Sequence, residues 1–123
     1  MTAEQFRRLA LALPGTEERS HMAHPDFRVR NKIFATLGYP ETGWGMVRLL
    51  PEQQAEVIRA APENFHPAAG AWGRSGSTLV QLATVSAAQL RPILRQAYEN
   101  LIAPASLEPA GGRDKAPRRR RAR

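Results

Sequence analysis

The side chains able to do chemistry in this sequence are few, and their spacing narrows what they can do. His21 and His24 stand three positions apart, with His66 as the third histidine of the chain. Zinc held by imidazole needs at least three convergent ligands, and a pair three apart converges mainly on a helix. Pro25 follows His24 directly and opposes helix, so His21 and His24 read as structural or loop residues and no metal is expected. Ser20 adjoins His21, and Ser75, Ser77 and Ser86 are available, but no nucleophile elbow or other spacing puts a base beside an activated hydroxyl. Glu17 and Glu18 are neighbours, which in an extended chain point apart rather than share a site. The chain has no cysteine, which excludes thiolate nucleophiles, disulfides and Cys-ligated metals. These residues point to a non-enzymatic protein without a cofactor.

Basic side chains are the more abundant chemistry. There are 18 Lys and Arg residues against 11 Asp and Glu, a net charge of +7. Its placement is uneven: residues 104–123 hold seven basic and two acidic side chains, leaving only +2 on residues 1–103. Arg28, Arg30 and Lys32 fall on alternate positions, Arg48 follows Trp44 within one segment, and Arg74 stands near Trp72. Guanidinium forks for phosphate and rings for stacking are what nucleic-acid-binding surfaces combine. Arg28, Arg30, Lys32, Trp44, Arg48, Trp72 and Arg74 are therefore the candidate DNA contacts of the folded part. The competing reading is a solvated sheet face whose arginines pair with Asp26 or Glu41, with Trp44 in the core. Arg118, Arg119, Arg120, Arg121 and Arg123 form a terminal cluster that binds polyanions by counterion release, without a base code. Such a cluster equally attracts RNA, an acidic protein partner or anionic lipid. The stretch GAWGRSGS (residues 70–77) is glycine-rich but lacks the Gly-Lys-Ser/Thr of a P-loop and precedes a strand pattern; it reads as a turn, or as a phosphate-contacting wing.

The elements that must position these residues follow from periodicity. Thr2 and Gln5 fit a capping box, and Phe6, Leu9, Ala10 and Leu13 make one apolar stripe, predicting a helix over 3–13 that Pro14-Gly15 ends. Residues 16–22 are an edge strand or a loop. From Phe27 the period becomes two, with Phe27 and Val29 on one side and Arg28 and Arg30 on the other; a tight turn at 30–32 leads into a return strand ending at Gly38. A further strand over 44–50 places Val47 and Leu49 opposite Trp44, Met46 and Arg48. Pro51 opens a helix whose stripe is Ala55, Ile58 and Ala61, a loop fills 63–77, and 78–84 is a strand. Ser86 and Gln89 cap a last helix carrying Leu90, Ile93, Leu94, Ala97, Tyr98 and Leu101 on one side. Pro92 is tolerated there only if the helix begins near Leu90 or Arg91.

The order helix, strands, helix, strand, helix predicts an α+β domain with an antiparallel sheet and helices packed on one face. With 123 residues, one domain is expected over 1–103. Residues 104–123 carry two proline and glycine clusters and one leucine, so they are expected to be a disordered Arg-rich tail. No run approaches the length of a membrane span, and the first residues lack the order of a signal peptide. A cytoplasmic monomer is expected.

The blocks LALPGTEE, FRVRNKIFATLG, VRLLPEQQAEV, FHPAAGAWGRSGSTLVQLATV and LRQAYENLIA, in this order over about residues 5–103, are similar to the MmcQ/YjbR family of small bacterial proteins. The resemblance implies a compact fold related to frataxin-like and secretion-chaperone-like folds. It also implies DNA binding, a label that rests on a double-wing shape, and it brings no catalytic signature. Members often carry Gly-Trp-Thr where this chain has Gly76-Ser77-Thr78; Trp72 is the ring available to compensate. Two functions follow as expectations: a DNA-binding protein that contacts phosphates through the basic hairpin face and the arginine tail, or a protein-interaction or chaperone-like module. A cleft near Trp72 and His66, serving a small molecule or catalysis, is the residual reading.

Overall fold

The first helix, α1 (Ala3–Leu11), starts where the capping box places it. Thr2 Oγ1 accepts from the Gln5 amide at 3.1 Å and Gln5 Oε1 accepts from the Thr2 amide at 2.8 Å, so two of the amides that a helix start leaves unpaired are satisfied. The computed structural model describes residues 1–103, so the expected tail over 104–123, with Arg118, Arg119, Arg120, Arg121 and Arg123, lies outside the described residues.

Six strands follow α1, interleaved with three more helices: β1 (Thr16–His21), β2 (His24–Val29), β3 (Lys32–Leu37), β4 (Trp44–Arg48), α2 (Pro51–Ala60), β5 (Phe65–Pro67), α3 (Gly70–Arg74), β6 (Ser77–Gln81) and α4 (Ala87–Ile102). The strands form one sheet in the order β1-β2-β3-β4-β6-β5, and every neighbouring pair is antiparallel. The segment over 16–22 resolves as an edge strand. Both hairpins at this edge turn on two residues with positive φ: Arg30 (53°) and Asn31 (65°) between β2 and β3, and Met22 (49°) and Ala23 (68°) between β1 and β2. These primed turns match the twist of paired strands. Asn tolerates that backbone; Met and Ala do so only at a cost.

One face of the sheet is packed. Phe27 and Val29 of β2, Val47 of β4 and Val80 of β6 are buried against Phe6, Ala10, Leu90, Leu94 and Ala97 of α1 and α4. The β2–β3 ladder shifts register here: Phe27 pairs with Ala35 but Arg28 pairs with Ile33, leaving Phe34 as an extra residue. This bulge lets Phe34 as well as Ala35 be buried, with the Phe34 ring edge-on to Tyr98 at 6.1 Å. Gly45 is needed where α1 crosses β4, since a Cβ there would stand 2.9 Å from the Phe6 ring.

Three details depart from the sequence reading. Ala55 of α2 is exposed, and the helix packs through half-buried Val57 and Ile58. Its Gln54 Nε2 donates to the carbonyls of Gly73 (3.0 Å) and Ser77 (2.9 Å), so the inner face is partly polar. The stretch over 63–77 contains β5 and the short helix α3 rather than only a loop, because the Phe65 ring is buried and Gly73 lets α3 press against the Ala68 carbonyl. Finally, α4 begins at Ala87, so Pro92 lies inside the helix, one turn past the tolerated start.

Candidate nucleic-acid interface

The opposite, open face of the sheet carries several ionisable side chains, with Asp26, Thr36, Met46 and Ser77 buried on it and Arg48 exposed. Alternation along β2 puts His24, Asp26 and Arg28 on this face, as β4 does with Trp44, Met46 and Arg48. A groove of about 480 Å³ crosses it, lined by His21, Met22, Tyr39, Met46, Arg48, Trp72 and Ser77 among others. A second trough of about 590 Å³ adjoins it, bordered by Arg28, Lys32, Arg48 and Asn100. The two share Ile33, Arg48, Ser75 and Ser77, so they form one continuous depression.

On the strand next to the β1 edge of this face lies Asp26, with no solvent exposure. Arg28 Nε donates to Asp26 Oδ1 at 2.7 Å and Arg28 Nη2 to Oδ2 at 3.1 Å; His21 Nδ1 lies 2.8 Å from Oδ2. The Arg28 hydrogen bonds hold the Asp26 carboxyl below its usual range, opposed by burial and helped by His21. In turn Asp26 raises the Arg28 guanidinium. Arg28 is thus half committed: it borders the basic trough, but its charge is largely offset. Lys32 and Arg48 make no ion pair among the described residues.

The structure gathers some of the expected contacts and separates others. Arg28, Lys32 and Arg48 meet along one trough, and Trp72 joins them through the adjoining groove. Arg30 sits in the β2–β3 turn and reaches the Ile102 carbonyl at 3.4 Å, so it does not share the face of Arg28. Trp44 pairs with Gln81 while Arg48 pairs with Ser77; four residues of strand separate them by about 13 Å, too far to act side by side. The Trp44 ring lies 5.7 Å from His66. Arg74, the last residue of α3, borders neither depression. His66 is on β5 and His21 on β1, at opposite edges of the sheet. Five strand spacings, about 24 Å, keep the histidines from converging on a metal. His66 lines neither depression, so the groove at Trp72 is not the cleft expected near Trp72 and His66.

Among the described residues, neither groove serine completes a triad with the Asp26–His21 pair. Ser75 Oγ donates to the Trp72 carbonyl at 2.9 Å, and Ser77 lies on β6, four strand spacings or about 19 Å from β1. Met22 and Tyr39 are groove residues that sequence reasoning missed, since they lie in connections whose placement only the packed sheet defines. The pairing of Arg28 with Asp26 is the one the competing reading named.

A six-stranded antiparallel sheet, helices on one face and a grooved, cation-bearing opposite face define a small α+β domain of the open-faced kind. More particularly, the chain belongs to the YjbR family, whose model matches residues 11–100. The structure is similar to the crystal structure of a Deinococcus radiodurans protein with a DUF419 domain (TM-score 0.70, 21% identity, covering 83% of this chain and 79% of that one). It is also similar to that of a Pseudomonas syringae protein (TM-score 0.61, 15% identity, covering 79% and 96%). At these identities the likeness is one of fold. No curated protein matches the chain significantly. Among the described residues, no helix is long and apolar enough to cross a membrane.

Proposed function

We propose that this protein is a non-enzymatic, cytoplasmic DNA-binding protein that holds phosphates along the trough at one end of its sheet, where Arg28 and Arg48 of the open face meet Lys32, the register partner of core Val29. The observation that carries this reading is the trough bordered together by Arg28, Lys32 and Arg48. Three basic side chains from two strands and the start of a third can neutralise neighbouring phosphates without reading bases, since phosphate contacts position a protein but carry no sequence information. Because Asp26 engages Arg28, Arg48 and Lys32 supply most of the usable charge. Arg118, Arg119, Arg120, Arg121 and Arg123 add non-specific affinity through charge alone. Arg30, Trp44 and Arg74 leave the proposed interface. The protein acts as a monomer in this reading.

The test is binding of labelled duplex DNA by fluorescence anisotropy across a salt series, for the full chain and for Lys32→Ala/Arg48→Ala. Each neutralised phosphate contributes about −0.9 to the log–log salt slope, so the double variant should flatten that slope by about two. A slope unchanged in this variant, but abolished when the five terminal arginines are replaced, would place all binding on the tail.

A second reading, a protein-interaction module, has the exposed Met22 and Trp72 in its favour, since large exposed apolar side chains at a groove are common in interaction sites. It predicts stoichiometric copurification with one acidic partner through a full-length variant that ignores DNA.

A further inference from the structure

The rings along the groove form an unbroken series that phosphate binding alone does not use. His21 and His24 have centroids 6.5 Å apart, His24 and Tyr39 5.9 Å, and Tyr39 and Trp72 5.9 Å. Their interplanar angles are 61°, 83° and 53°, so no pair is stacked in parallel, and the last ring of the series, Trp72, stays 56% exposed. Trp72 is 56% exposed and Met22 86%, two large apolar side chains at the rim of one groove. Arg48 lines that groove too, and through it the rings connect to the basic trough.

We infer that the groove takes the unpaired bases of a single-stranded nucleic acid, stacked on Trp72 and Tyr39, while Arg48, with Lys32 beyond it in the adjoining trough, holds the phosphates. A duplex keeps its base faces inside the stack and can offer this groove only its backbone; an unpaired strand offers both a π face and a phosphate at every step. His21 has its Nδ1 engaged by Asp26, so Nε2 is the ring nitrogen left for a base edge or phosphate oxygen. Ser77, small and shared by both depressions, leaves the passage between rings and cations open. This inference rests on the phosphate-binding reading above and adds to it the form of the nucleic acid.

The experiment compares three probes of equal length on the full chain at fixed salt: an oligothymidylate, an abasic deoxyribose-phosphate oligomer and a duplex. The oligothymidylate is expected to bind about tenfold tighter than the abasic oligomer, the contribution of a stacked base. Trp72→Ala should remove that factor and leave abasic binding unchanged, and Trp72→Phe should restore most of it. Because Trp72 is more than half exposed, both variants should keep the native circular dichroism spectrum. Equal binding of all three probes, or no effect of Trp72→Ala on the oligothymidylate, overturns base stacking and leaves phosphate binding standing. Failure of all three probes to bind overturns both.

Discussion

The two faces of the sheet are made from the same strands, yet they obey different chemistry. On the packed face, Phe27, Phe34, Val47 and Val80 have essentially no exposure and lie among aliphatic and aromatic neighbours. On the open face, Asp26 and Arg28 alternate with Phe27 and Val29 along β2, Asp26 bonds to Arg28 and His21, and His21 and His24 border a groove. Along β2 and β4, Phe27, Val29 and Val47 are buried in the core, while the other face mixes buried Asp26 and Met46 with more accessible Arg28 and Arg48. The period of a β-strand thus sorts core side chains from binding ones only in part.

Substitutions across the two faces test that separation. The largest effect belongs to the packed side: Phe34→Ala removes a fully buried ring and should cost about 3–5 kcal/mol in urea unfolding. A cost below about 1 kcal/mol would mean that the bulge does not commit Phe34 to the core.

Asp26 joins the two faces, being buried yet part of the polar network. Its carboxyl is held below the ordinary value by Arg28, so the stabilisation it gives is complete above the unfolded carboxylate pKa of about 3.9 and is lost as pH falls through the lower folded value. Thermal melts should therefore show wild type above Asp26→Asn at neutral pH, with the two converging in acid. A gap independent of pH would remove the ionised Asp26–Arg28 pair from the account.

A smaller effect, of opposite sign, lies in the β1–β2 turn. Met22→Asn with Ala23→Gly supplies the residues that positive φ prefers, and should raise stability by about 1 kcal/mol. Because the exposed Met22 side chain goes with it, an apolar ligand of the groove would bind more weakly to a more stable protein.

Smallest in stability is Arg48→Ala, an exposed change expected to stay within about 0.5 kcal/mol of wild type while lowering the DNA salt slope by about one. If it destabilised the protein as much as a core substitution, the open face would be a structural surface.

The local signals proved readable because they act over a few residues. Thr2 with Gln5 and Ser86 with Gln89 form the two capping boxes that the sequence shows. Phe27 and Val29 are buried while Arg28 and Arg30 are not, as their alternation requires. The composition of 63–77 hid β5 and α3, since a three-residue strand exists only by pairing with β6. Likewise the stripe on α2 was read through Ala55, but what α2 faces includes the Gly73 and Ser77 carbonyls, which favour Gln54 over an apolar residue.

By itself, then, the sequence determined the fold class, the turn and return strand of the β2–β3 hairpin and the caps of the first and last helices. Each follows from side-chain period or from hydrogen bonds between residues close in the chain. Only the tertiary structure decided which basic residues act together. Arg48 meets Lys32 and Arg28 because β4 pairs with β3 and β6, Trp72 meets Tyr39 because Gly73 and Gly76 let α3 fold close to the sheet, and Arg30 and Trp44 are carried elsewhere by a turn and by strand length. Those juxtapositions depend on strand order and close backbone approach between residues tens of positions apart, which no local pattern encodes.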